Sequence, residues 1–102
     1  MKTDLFKAAT GRRPTSEELR AAANFATAIA DAMRQLGVPY RRAFEIAGPK
    51  GLGAWRVVSY LINDALRGPA SSATNLRTAA KALDHEARLW DSRRLDLEAL
   101  NV

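Results

Sequence analysis

The chain has 102 residues, a net charge of +5 and no cysteine, and 47% of its residues are hydrophobic. This length suits one domain with a modest core. Without cysteine there can be no disulfide, thiolate metal site or thiol catalysis, and such a composition is typical of a reducing interior, so we expect a cytoplasmic protein. The sequence has no apolar run long enough to cross a bilayer and no secretory signal at its start, so we expect no membrane partner.

The composition favours helices over sheets, because alanine supplies much of the hydrophobic fraction while valine, isoleucine and threonine are sparse. We therefore predict a single all-α domain over residues 1–102, a compact bundle of about four main helices. Residues 1–14 form an N-terminal arm that contains a short helical turn. Thr3 and Asp4 are the residues that can cap this turn, and Gly11 stops it.

The first main helix has the strongest start signal in the chain. Thr15 and Glu18 have the spacing of a capping box, in which each side chain satisfies the other residue's backbone amide. Gly37, followed by Pro39, ends the helix in the expected way. Between these limits, apolar residues recur at steps of three and four, which predicts one apolar stripe along about five turns: Leu19, Ala22, Ala26, Ile29, Met33 and Leu36.

Two further helices follow on either side of a glycine-rich loop. Pro39 opens a short helix that runs to Ala47, because proline is favoured at the first helical position. Residues 54–67 then form the most hydrophobic helix, which we place at the centre of the core with Trp55 on its apolar face. A strand reading of the first eight of these residues is set aside, since the helical spacing continues beyond them.

The last helix follows Ser71, Ser72 or Thr74 as its cap. Its apolar stripe loses its pattern at the next expected position, which is an arginine, so the helix is expected to bend, fray or change partner near residues 91–92. Residues 91–102 are then a frayed or separately docked tail. The stripe that leads up to this point contains Leu76, Ala80, Leu83, Ala87 and Trp90.

We find no catalytic constellation in the sequence, and we predict that the protein is not an enzyme. A nucleophile needs a neighbouring base, and metal ligands need to cluster. The only histidine, His85, lies off the apolar stripe of the last helix and is best explained as a solvated residue. We expect no metal and no cofactor.

The segment from Gly37 to Gly53 holds four of the six glycines and two of the four prolines. Its second half does not have the spacing of a phosphate-binding loop. Residues 48–51 match the GxxG loop of KH-type RNA-binding folds, but those folds need a sheet. Ala47, Gly51 and Val57 fit the spacing of a helix-turn-helix, although Pro49 would break its first helix. The simplest interpretation is a tight connection whose glycines supply positive-φ turns.

The positive charge is concentrated ahead of Gly68, where 11 basic residues face 6 acidic ones. We predict that four of these basic side chains form a rim that contacts the phosphates of a nucleic acid, and that two more, before the first main helix, extend it. The alternative is that these are ordinary solvated residues, with Arg41 paired to Glu45 four positions on. The predicted rim contains Arg41, Arg42, Lys50 and Arg56, and its extension contains Arg12 and Arg13.

These features predict a small basic nucleic-acid-binding accessory or regulatory protein that acts in an oligomer or a larger complex. They do not separate DNA from RNA or specific from general binding. The alternative is a helical assembly subunit that contacts only protein. For self-association or a protein partner, the expected contact residues are Leu19, Ala26, Ile29 and Met33, together with Trp90, which suits an interface hot spot.

Overall fold

The computed structural model describes the backbone of residues 1–100 and the side chains of residues 1–93. The described backbone contains five helices and no strand, so the predicted all-α bundle is confirmed. No helix in this part of the chain combines the length and apolarity that a bilayer span requires. The helices are α1 (Asp4–Thr10), α2 (Ser16–Leu36), α3 (Tyr40–Ala47), α4 (Leu52–Leu66) and α5 (Ala73–Leu100).

Helix α2 begins and ends as its sequence predicts. The Glu18 amide donates to the Thr15 hydroxyl at 3.1 Å, and the Thr15 amide donates to the Glu18 carboxylate at 2.9 Å, which completes the capping box. At the other end, Gly37 adopts a left-handed conformation with φ 65°, and its amide donates to Met33. A glycine suits this position because other residues are strained there.

Arg12 adds an ion pair to the capping box, and this pair makes the start of α2 sensitive to acid. Its guanidinium donates to both Glu18 oxygens, at 2.7 and 2.8 Å. This hydrogen bond, together with those from Thr15, lowers the pKa of Glu18 from its ordinary value of 4.5 to about 2. Because the pKa is lower in the folded chain, the contribution to stability is complete above pH 4.5. It is lost as the pH falls through about 2.

We therefore expect Glu18→Gln to reduce the free energy of unfolding at pH 7, and we expect that difference to shrink as the pH falls from 4.5 to 2. Glutamine retains a side-chain oxygen that can accept from the Thr15 amide, so this change removes the charge of residue 18 while keeping the capping box. Urea unfolding of both proteins at a series of pH values measures the difference. A difference that stays constant across this window would show that the Arg12–Glu18 charge pair does not contribute.

Helices α2 and α5 pack antiparallel and form the most extensive helix pair of the fold. Two ion pairs, one toward each end, fix their register. Arg20 near the start of α2 contacts Asp91 of α5, and Asp31 accepts from Arg77 at 2.7 Å. The many alanines along both helices allow a close approach, and this packing buries Leu76, Leu83 and Ala87 of α5.

The apolar stripe of α2 lies inside this fold, which corrects part of the predicted partner interface. Leu19, Ala26 and Ile29 are fully buried in the protein's own core, and Met33 is partly buried against it. The three buried side chains present no surface to another molecule in this fold. The sequence pattern identified them as apolar and adjacent, but it could not show that α5 of the same chain covers them.

Helix α1 packs on α4 through Phe6, which was predicted, with Leu5, to dock this helix on the rest of the protein. Phe6 is fully buried, and the carboxylate of Asp64 on α4 accepts from the amides of Leu5 at 2.9 Å and Phe6 at 3.0 Å. Thr3, which was predicted to cap α1, occupies the N-cap position but makes no capping hydrogen bond. Asp64 therefore accepts hydrogen bonds from the first-turn amides of α1, as the side chain of an N-cap residue would, but it does so from another helix.

Helix α5 continues through the predicted break at residues 91–92 and ends at Leu100. An arginine at a stripe position is therefore compatible with an unbroken helix. The predicted docking of the tail, residues 91–102, depends on side chains that lie mostly outside the described residues.

Candidate nucleic-acid interface

The glycine-rich loop turns the chain between α3 and α4. Gly51 is the N-cap of α4 and has φ 93°, a conformation that favours glycine, as predicted for this loop. Gly48 instead has an extended backbone, and its role is close packing: a Cβ there would lie 2.4 Å from the Phe44 carbonyl oxygen. Pro49 lies after the end of α3, so it does not interrupt a helix. The loop thereby sets Phe44 of α3 against α4.

Three aromatic side chains link the two helices. The rings of Tyr40 and Phe44 meet edge to face with 5.8 Å between centroids, and those of Phe44 and Trp55 meet in the same way at 5.9 Å. Trp55 is the exposed end of this row, with 46% of its surface accessible. The prediction that Trp55 belongs to the core is therefore wrong. It lies in the first turn of α4, where its contact with Phe44 leaves nearly half of its surface accessible.

A groove of about 440 Å³ lies between α3 and α4 beside this aromatic row. One wall is formed by Trp55, Ser59 and Asn63, which are four residues apart and therefore form one row along α4. The volume lies within the range of small-molecule sites, which is about 300–1,000 Å³. The remaining lining residues are Tyr40, Arg41, Phe44, Glu45, Pro69 and Ala70.

The groove offers several polar groups that the protein itself leaves unused. The side chains of Ser59 and Asn63 make no hydrogen bond to any described residue. The Tyr40 hydroxyl is buried and likewise has no partner among them. Burial raises the pKa of Tyr40 to about 12, and the same burial closes this hydroxyl off from the groove. A ligand with donors and acceptors on its edge would satisfy Ser59 and Asn63.

Two members of the predicted basic rim contact the same acidic residue. Arg42 pairs with the Glu45 carboxylate at 3.0 Å, and the Lys50 ammonium donates to the Glu45 carbonyl at 2.8 Å. The predicted pair between Arg41 and Glu45 is absent among the described contacts, because Glu45 pairs at the i−3 position instead. Glu45 is thus neutralised locally, and Lys50 helps to close the last turn of α3.

The other two members of the rim, Arg41 and Arg56, are exposed and have no acidic partner among the described residues. Arg41 lines the groove on α3, whereas Arg56 follows Trp55 on α4 and lies outside the residues that line the groove. The exposed indole therefore has an unpaired arginine on each of the two helices that meet there.

Arg12 and Arg13 lie at the opposite end of α2 and do not extend this rim. The 21 residues of α2 alone span about 30 Å, and they separate Arg13 from Arg41. Arg12 is engaged by Glu18 and lies over the Phe6 ring. Arg13 borders a different cavity of about 480 Å³, which we call the α1 cavity; its basic residues are Lys2, Lys7, Arg13 and Arg93.

Trp90 also belongs to the α1 cavity. The guanidinium groups of Arg13 and Arg93 lie over its ring at 5.5 and 5.2 Å from the centroid, and the ring is partly buried against the core. Its indole N–H is buried without a partner among the described residues. Trp90, which was predicted as an interface residue, is therefore the less accessible of the two tryptophans.

Ser59 and Asn63 were not predicted as site residues. The signal for them was present, since Trp55, Ser59 and Asn63 repeat at steps of four along α4. His85 is exposed, and the described residues contain no group of acidic or histidine side chains arranged to hold a metal ion. Comparison with protein-family models, with curated proteins and with solved structures finds no match for this chain.

Proposed function

We propose that this protein is a nucleic-acid-binding accessory or regulatory protein rather than an enzyme, and that it contacts the phosphate backbone through the end of the bundle where α3 meets α4. The observation that carries the proposal is the pair of exposed, unpaired arginines, Arg41 and Arg56, beside the exposed indole of Trp55. Arginine suits phosphate because its guanidinium donates in a fixed fork, and an unpaired arginine gives up no ion pair on binding.

The test is a salt titration of binding to labelled DNA and RNA, with the double variant Arg41→Glu/Arg56→Glu. We expect the wild-type affinity to fall steeply as salt is raised, because phosphate contacts release counterions. The variant should bind at least about tenfold more weakly at low salt. Its salt slope should be smaller by about one unit for each phosphate that it no longer neutralises.

The matched control is Lys81→Glu/Arg88→Glu on α5, which lowers the net charge from +5 to +1 just as the test variant does. If both variants weaken binding equally, only the total charge matters and the site assignment is wrong. If Arg13→Glu removes binding while the test variant retains it, the α1 cavity is the contact surface instead. Absence of binding to either nucleic acid at low salt would contradict the function itself.

A role as an assembly subunit is the second candidate, and the exposed apolar residues favour it. Leu52 is 66% exposed and lies one turn from Trp55 on α4, and Ile46 on α3 is 42% exposed. Solution mass across a concentration series tests self-association directly. A mass that rises with concentration in the wild type, and not in Leu52→Ser, would place the contact at this end of the bundle.

A further inference from the structure

We propose that the groove between α3 and α4 binds single-stranded nucleic acid, with one unstacked base against the indole of Trp55 and the neighbouring phosphates at Arg41 and Arg56. This inference rests on the proposed function and specifies which form of nucleic acid the site accepts.

The position of Trp55 is the first argument. Its ring is supported edge-on by Phe44 at 5.9 Å while nearly half of its surface remains accessible. A tryptophan held in place and still exposed provides a stacking surface without further loss of side-chain freedom. Stacking of this kind tolerates any sequence, because every base has a flat π-face.

The shape of the site is the second argument. Trp55 lines a groove that Pro69 and Ala70 also border, so the indole is recessed between chain segments and does not stand on a protruding helix. A base that reaches it must be turned out of its own stack. Bases in single strands are free to do this, whereas bases in a duplex must first unpair.

The wall of the groove also carries polar side chains that a base could use. Ser59 lies one turn from Trp55, a rise of about 6 Å, and Asn63 lies a further turn away. Both side chains can donate and accept hydrogen bonds, and no described residue uses them. They suit the polar edge of a stacked base and of the base beside it.

A duplex-reading site would look different at this helix. Side chains that read the major groove are polar and project from an exposed helix face. Val58 and Ile62, two positions of α4 at which the helix-turn-helix interpretation needs polar base-contacting side chains, are buried in the core, and the exposed first turn presents Leu52 and Trp55. These positions of α4 therefore do not suit the helix-turn-helix interpretation of the α3–α4 segment.

The experiment compares labelled single strands of about twelve nucleotides, a length within the range of single-strand sites, as DNA and as RNA. A DNA hairpin duplex of the same length is the third probe, at one salt concentration. We expect the wild-type protein to prefer the single strands. Trp55→Ala should weaken single-strand binding about tenfold or more, and Trp55→Phe should retain most of it, because phenylalanine still stacks. The two single-strand arms show whether the 2′-hydroxyl matters.

A second readout follows the indole itself. In a Trp90→Phe background, Trp55 is the remaining tryptophan, and a base stacked on it should quench its emission at saturation. The helical circular dichroism signal of each variant shows that it is folded under the assay conditions.

The possible outcomes distinguish failure of the stacking site from failure of the proposed nucleic-acid-binding function. Tighter binding to the hairpin, or a Trp55→Ala protein that binds single strands as well as the wild type, overturns the stacking site while the arginine contacts stand. Absence of binding to every probe at low salt overturns the proposed function and this inference with it.

Discussion

Gly48→Ala is expected to destabilise the protein by about 3 kcal/mol, which is the upper part of the range for overpacked sites. The new Cβ would lie 2.4 Å from the Phe44 carbonyl oxygen and 2.7 and 2.9 Å from two carbons of the Phe44 ring. A rotation of the ring relieves the contacts with the ring carbons. The contact with the backbone oxygen is relieved only if the end of α3 moves.

The change should also disturb the groove, because Phe44 supports both Tyr40 and Trp55. Chemical unfolding gives the loss of stability, and the emission of Trp55 in a Trp90→Phe background reports the displaced aromatic row. Gly53→Ala is the matched control in the same segment, because no atom lies within 4 Å of its Cβ position. Gly53 is helical, so alanine there should be neutral or stabilise by up to about 1 kcal/mol. Equal effects at the two positions would contradict the packing role of Gly48.

The sequence predicted helix positions well where the signal is local. The capping box at Thr15 and the left-handed Gly37 depend on residues a few positions apart, and α2 accordingly begins and ends where they indicate. Helix α4 begins two residues earlier than predicted, at Leu52, and ends one residue earlier, at Leu66, where Arg67 is the left-handed C-cap. Ends of this kind depend on tertiary packing, which local signals describe poorly.

Predictions that depend on which helix packs over which apolar face were less accurate. An apolar stripe looks the same whether it packs inside the chain or on a partner, and the stripe of α2 is covered internally. The sequence pattern likewise placed Trp55 on an apolar helical face, but 46% of its surface remains accessible beside Phe44. The charged rim was predicted by residue type, but contacts with Glu45 separate Arg42 and Lys50 from Arg41 and Arg56: Arg42 pairs with its carboxylate and Lys50 donates to its backbone carbonyl. Such pairing is a property of the assembled fold.

Asp64 illustrates the same limit most clearly, since its importance depends on a segment 58 residues away. The Asp64→Ala variant is expected to lose about 3 kcal/mol of unfolding free energy, because two hydrogen bonds to a carboxylate disappear. The Phe6 amide that loses its partner is buried, so water cannot replace the bond unless α1 opens. The positive end of the α1 dipole also loses its nearby negative charge.

Two measurements distinguish this role from a general loss of packing. Amide hydrogen exchange should become faster at Leu5 and Phe6 than along α2, because α1 packs chiefly on α4 and can open without the rest of the fold. Asp84→Ala on α5 is the matched control: it removes a half-exposed carboxylate that pairs with the exposed Arg88 at 3.0 Å, so it should change stability by less than about 0.5 kcal/mol. Asp64→Asn should fall between the two, because its amide oxygen can accept one of the two bonds while its NH₂ group faces the other donor. If Asp64→Ala unfolds like Asp84→Ala, then α1 is held by Phe6 alone.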